Sequence, residues 1–87
     1  MSWKDIVKFT KESPAKYKYG TNIEEFERMA WERGTPVTNG KTWKVFTSND
    51  IVGATNGIET RHAVVKMSAN TIHGHPITPA EFKDYTK

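Results

Sequence analysis

"NGIETRHAVVKM", residues Asn56 to Met67, decides how this chain folds. It opens on Asn56-Gly57, a tight-turn dipeptide, because both residues tolerate the positive φ that hairpin turns demand. The run behind it is rich in β-branched residues and predicts a strand over 57–67. On such a strand Ile58, Thr60, His62, Val64 and Lys66 share one face, and Glu59, Arg61, Ala63, Val65 and Met67 share the other. The hairpin implies antiparallel partners upstream. "DIVGAT" (50–55) and "KTWKVFT" (41–47) supply them, and Asn39-Gly40 is a second tight-turn dipeptide ahead of the first. Residues 71–75 add a fourth, very short strand or an extended loop.

Helical spacing brackets the strands. Trp3, Ile6, Val7 and Phe9 follow Ser2, a competent N-cap, and predict a helix over about 2–11 that ends at Ser13-Pro14. Residues 15–20, "AKYKYG", read as a connector. Thr21 and Glu24 form a capping box, and Ile23, Phe26, Met29 and Ala30 make one apolar stripe, so a helix over 22–33 follows. Gly34 is expected to cap it in the left-handed conformation ahead of Pro36. Thr78-Pro79-Ala80-Glu81 repeats the helix-start pattern and predicts a last helix over 79–85 anchored by Phe82. The expected fold is α+β: two helices, a small antiparallel sheet of three to four strands covered on one face, and a short C-terminal helix.

With 87 residues and 36% apolar content the chain closes one core, so 1–87 is read as a single domain. There is no cysteine, which excludes disulfides, thiolate zinc sites and cysteine nucleophiles, and points to a cytoplasmic setting. No apolar run approaches the roughly 20 residues of a membrane span, so no membrane partner is expected. A net charge of +3 tilts the choice of partner towards anions. Lysines concentrate in residues 1–20 and glutamates in 21–34, which reads as two solvated faces of opposite sign.

The residues able to carry chemistry are three histidines and their basic neighbours. His73-Gly74-His75 reads first as a strand-to-helix junction whose Gly74 and Pro76 set the turn, and second as half of an acid-base site. Third, it reads as a metal clip: the two imidazoles project to one side of an extended chain, but no third ligand stands nearby. Neither metal nor cofactor is therefore expected. Cleavage of RNA needs a base, an acid and a cation for the phosphorane charge. His62 with His73 or His75 can move the protons, Lys41, Lys44 or Arg61 can hold phosphate, and Thr60 can donate a hydrogen bond. Trp43 and Phe46 alternate with Lys44, the pattern of a sheet that stacks bases while gripping phosphate, and only one of these aromatics can lie in a one-sided core.

The order of these motifs resembles the phage-associated and polymorphic-toxin nuclease domains of the group that includes barnase, EndoU, colicins D and E5, and RelE. The likeness runs over about 21–77. It is carried by a helix ending in Gly34, "GKTWKVF", "IVGATNGIET" with Gly53, Gly57 and Thr60, and "IHGHP". It implies RNA as substrate and metal-independent cleavage, with His73 or His75 as one proton-transfer group and His62 as the other. Lys44 or Arg61 is then on phosphate, and an immunity protein or antitoxin is a natural partner. The helix, three strands and helix order also resembles the HicA toxins, small RNA-binding ribonucleases. Their strand histidine would fall near Gly40-Lys41-Thr42, where this chain has none.

Two other classes fit the same residues. One is a non-catalytic inhibitor or adaptor that docks on a host protein through an edge strand and the helix bearing Glu25, Trp31 and Glu32. The other is a nucleic-acid-binding module that uses the sheet without cutting.

Overall fold

The computed structural model describes residues 1–87. Its helices are α1 (Trp3–Phe9), α2 (Ile23–Arg33) and α3 (Pro79–Tyr85). Its strands are β1 (Lys16–Tyr17), β2 (Thr35–Pro36), β3 (Trp43–Thr47), β4 (Gly53–Thr55), β5 (Ile58–Thr60), β6 (His62–Ser68) and β7 (Thr71–Ile77). They form not one sheet but two: a four-stranded sheet of order β2-β3-β6-β7 and a three-stranded sheet of order β1-β4-β5. The α+β class holds, with all strand pairings antiparallel.

The expected strand over 57–67 breaks at Arg61. Its first part, β5, closes a hairpin with β4 through Asn56 (φ 52°) and Gly57 (φ 82°), the left-handed pair that the dipeptide predicts. Its second part, β6, leaves that sheet and becomes a central strand of the other. Arg61 is exposed at the crossing, and its carbonyl accepts from the Ser48 amide at 2.8 Å. The upstream arm shortens to Gly53–Thr55 because Val52 hydrogen-bonds outside the ladder, its amide to Thr60 and its carbonyl from the Lys18 amide. Gly53 then passes so close to the Lys16 carbonyl and Pro76 that no side chain fits there.

The fourth strand forms and runs over 71–77, longer than the expected 71–75, so His73-Gly74-His75 lies inside it and not at a junction. β6 turns into β7 through Ala69 (φ 50°) and Asn70 (φ 64°), a two-residue turn with no glycine, and seven residue pairs register from Ser68↔Thr71 to His62↔Ile77. Gly74 and Pro76 lie inside β7. Proline is tolerated because β6 is the only strand bonded to β7. Gly74 is required because a Cβ there would meet the Val64 carbonyl, with the Val65 Cα 2.9 Å away. Asn39-Gly40 makes no tight hairpin either: Gly40 is left-handed (φ 84°), but it sits in the loop of residues 37–42 between β2 and β3.

The helix boundaries shift for identifiable reasons. The side chain of Asn22, not Thr21, accepts the amide of the third helical residue, Glu25, at 3.2 Å, so the expected Thr21–Glu24 capping box does not form. Gly34 is extended (φ −72°), and the need for glycine is steric: a Cβ would meet the Ala30 carbonyl, and the Val45 carbonyl lies 2.8 Å away. α3 forms as expected, with both arms of the Thr78–Glu81 capping box in place.

The four-stranded sheet is covered on both faces, which overturns the one-sided arrangement. On one face Phe26 of α2 meets Phe46 at 6.1 Å and Tyr17 at 5.8 Å in edge-to-face contacts, and Glu27, buried, accepts the Tyr17 hydroxyl at 2.7 Å. On the other, Val37, Val45, Val64 and Ile77 form the core under Phe82 and Tyr85 of α3. Trp43 and Phe46 thus each find a covered face. Replacing Gly74 by alanine forces β7 away from β6, and overpacking of this kind costs about 1–3 kcal/mol. Urea denaturation of Gly74→Ala measures it, and an unchanged midpoint contradicts the close approach.

Candidate functional site

Every buried polar side-chain atom of the fold has a hydrogen-bond partner. An open groove of about 560 Å³ runs between the start of α2 and the β6–β7 turn, lined by Ile23, Glu24, Glu27, Arg28, Asn70, Thr71 and Ile72. It contains none of the histidines. Its one cation, Arg28, is paired with Glu24 at 3.5 Å.

The register instead sorts the candidates onto the α3 side of the sheet. Trp43 lies opposite Lys66, and Lys66 opposite His73; in the next row Val45, Val64 and His75 pair across; in the third, Thr47, His62 and Ile77. Alternation puts all of these on one face. α3 is seven residues long and covers only part of it, closing over the core beside His62. The far end stays open, with Lys41, Trp43, Lys66, His73 and His75 at or near the surface.

Trp43 organises the open end. Its indole meets the Tyr85 ring edge-on, with centroids 6.0 Å apart at 75°. The Lys66 ammonium stands 4.0 Å from the indole centroid and that of Lys41 5.2 Å, two cation–π contacts on one ring. The loop carrying Lys41 is tied to α3, since the Thr38 amide and hydroxyl both donate to the Tyr85 carbonyl, at 3.0 and 3.2 Å. Burial and the nearby Glu81 carboxylate push the Tyr85 phenol above its ordinary value, so it stays neutral and a donor.

His75 is half-buried, and its Nδ1 lies 2.9 Å from the Pro76 carbonyl. A carbonyl only accepts, so this nitrogen carries the proton and Nε2 of the neutral ring keeps its lone pair. His73, exposed, stands two residues away, about 7 Å along the strand.

His62 does not join them. Its ring stacks on Phe82 at 4.5 Å and its Nδ1 sits 2.8 Å from the Thr47 hydroxyl, which draws it towards β3 while His75 bonds back along β7. His73 is a further four residues along the ladder, about 13 Å distant. No three His, Asp or Glu side chains cluster as metal ligands.

Three other expected phosphate contacts are also placed elsewhere. Lys44 is on the α2 face, where it donates to the Trp31 carbonyl at 2.7 Å and lies 4.6 Å over the Trp31 ring, satisfying the negative end of that helix. Thr60 is 3% exposed and internal: its hydroxyl donates to the Ile77 carbonyl at 2.7 Å and accepts from the His62 amide at 3.1 Å. Arg61 is exposed beside His62, at the opposite end from Trp43. Lys66 and Tyr85 were missed as site residues. Alternation does set Lys66 on the His62 face, but only the strand register pairs it with Trp43.

Comparison with protein-family models, curated proteins and solved structures finds no match to this chain.

Burial holds the His62 imidazole below its ordinary protonation range. The unfolded chain therefore takes up this proton first, near pH 6.5. Stability is expected to fall as pH drops below that value and to level off under the folded-state pKa. Melting temperatures from pH 8 to 5 test this: the acid-side slope should flatten in His62→Phe, which keeps the stack on Phe82. Thr60→Val strands a buried carbonyl and a half-buried amide, and is expected to cost about 1–3 kcal/mol in urea denaturation while leaving the open face intact.

Proposed function

We propose that this chain is an RNA-targeting domain acting as a metal-independent ribonuclease through the open half of its sheet face. The observation that supports this best is the grouping of His73, His75, Lys66, Lys41 and Trp43 on that half, at the C-terminal end of the covering helix, where Tyr85 meets Trp43. His75 is suited to be the base, because its tautomer leaves Nε2 free to accept. It takes the 2′-hydroxyl proton, and the 2′-oxygen attacks phosphorus. His73, as imidazolium, protonates the departing 5′-oxygen, leaving a 2′,3′-cyclic phosphate and a 5′-hydroxyl. Lys66, directly across from His73, and Lys41 offset the added phosphorane charge. The work expected of His62 passes to the second residue of the β7 pair, and that of Lys44 and Arg61 to Lys66.

The carboxylates of α3 leave this face to its cations: Glu81 is held in the capping box and Asp84 pairs with Lys87 at 3.2 Å. The acidic residues of α2 stand on the other side of the sheet. No helix is long and apolar enough to cross a membrane, and an RNA-acting domain without cysteine is suited to the cytoplasm. A toxin of this kind needs a protein inhibitor in its host, so an antitoxin or immunity protein belongs to the same proposal.

A second reading, a nucleic-acid-binding module that does not cut, is favoured by one observation. The Lys41–Trp43–Lys66 group can grip a strand with no proton transfer at all. The adaptor reading has less support, because Trp31, its proposed contact, is occupied by Lys44.

Incubation of the purified chain with total RNA in excess chelator separates the two. Cleavage leaving cyclic phosphate ends is expected, and His73→Ala and His75→Ala should each slow it by about a hundredfold or more with unchanged melting curves. Intact RNA after prolonged incubation with concentrated, folded protein overturns the nuclease and leaves the binding module.

A further inference from the structure

We infer that the open face takes unpaired nucleotides, with one base stacked on the Trp43 indole in place of the lysine ammonium groups that now cover it. The inference rests on the RNA-targeting reading and names the substrate class and the recognition residue.

Trp43 is the only large aromatic at this end of the face whose ring is packed by charge. Tyr85 holds it edge-on, so its orientation is set before any ligand arrives. The core beneath it, through Val45 and Val64, supplies a rigid floor. What lies against the ring is Lys66 from the neighbouring strand and Lys41 from two residues upstream. Each cation over the ring is worth only a factor of about 2 to 5 in equilibrium terms, or about 4 to 25 for the two together. Stacking of a base on an aromatic side chain is worth about 5 to 150. An arriving base offsets the loss of both contacts, and the phosphate that each freed lysine gains carries the exchange forward. The same two side chains serve as placeholders in the empty state and as backbone ligands in the bound one.

A duplex cannot make this exchange, because its bases are stacked on one another and only phosphates and 2′-hydroxyls are within reach. A single strand can. Its backbone crosses from Lys41 to Lys66 and on to His73, following the row Trp43–Lys66–His73 across the strands. That path brings a phosphodiester adjacent to the stacked base up to the two β7 histidines.

The test uses oligonucleotides that cannot be cut by 2′-oxygen attack, so that binding is measured apart from catalysis. The probe is a fluorescein-labelled 2′-O-methyl RNA of about eight nucleotides, within the span of small single-strand sites, set beside a blunt 2′-O-methyl hairpin of the same composition. Fluorescence anisotropy at low salt is expected to show at least tenfold tighter binding of the single strand. Trp43→Leu, checked for an unchanged fold by its melting curve, should weaken that binding about 5- to 100-fold, and Trp43→Tyr, which keeps a platform, should restore most of it. Lys41→Gln and Lys66→Gln should each lower the slope of log affinity against log salt by about 0.7, the value of one phosphate contact on a single strand.

Equal affinity for hairpin and single strand overturns the inference. So does a folded Trp43→Leu that binds like the parent while the lysine variants weaken; in that case the face is a phosphate-gripping surface and the RNA-targeting reading stands. Absence of binding to either probe at low salt overturns the inference together with the reading on which it rests.

Discussion

The hydroxyl of Thr60 is the interaction on which the arrangement of this molecule turns. At this point the chain leaves one sheet and, one residue later, enters another, so two backbone groups at the crossing cannot find ladder partners. Thr60 supplies both, donating to the Ile77 carbonyl and accepting from the His62 amide. Without that pair of bonds the crossing would bury unsatisfied polar groups, at a cost comparable to the net worth of several hydrogen bonds. With it, β5 and β6 follow one another with only Arg61 between them and yet belong to different sheets. The small sheet and α1 then stand beside the larger sheet and do not extend it.

The crossing has a second effect. Because β6 becomes a central strand, Ala63 and Val65 are buried under α2 while Val64 is buried under α3. A strand buried on both faces must be apolar on both, which explains why "AVV" interrupts the expected alternation of polar and apolar residues. The two layers are unequal. α2 has eleven residues and spans the sheet, whereas α3 has seven and stops short. Past its last residue, Tyr85 against Trp43, the face carries Lys66, His73 and His75.

Local chemistry made part of this legible beforehand. The Asn56-Gly57 turn and the capping box of α3 each rest on neighbouring residues alone and form as expected, whereas of the α2 stripe Phe26, Met29 and Ala30 are covered, Ile23 stays exposed and Glu27 is buried instead. Elements set by tertiary contact did not show. The Ala69–Asn70 turn lacks the glycine that marks such turns, so residues 71–75 read as a very short strand or an extended loop although they begin a seven-residue strand. The site divided in the same way. His73 and His75 sharing a side follows from a spacing of two, and Trp43 with Lys41 likewise. That Lys44 serves the end of α2, that Thr60 serves the backbone, and that Lys66 stands against Trp43 all depend on register between segments distant in sequence.

The two-residue link between β6 and β7 bears on how the molecule assembles in time. It joins the longest ladder in the chain through the shortest possible loop, so closing that ladder loses little chain entropy. The pairing of β1 with β4, by contrast, must bring together segments separated by α2 and β3. Contacts local in sequence form fastest. The hairpin bearing Lys66, His73 and His75 is therefore placed to act as an early nucleus, with the residues of the open face already in register before the layer behind them has docked.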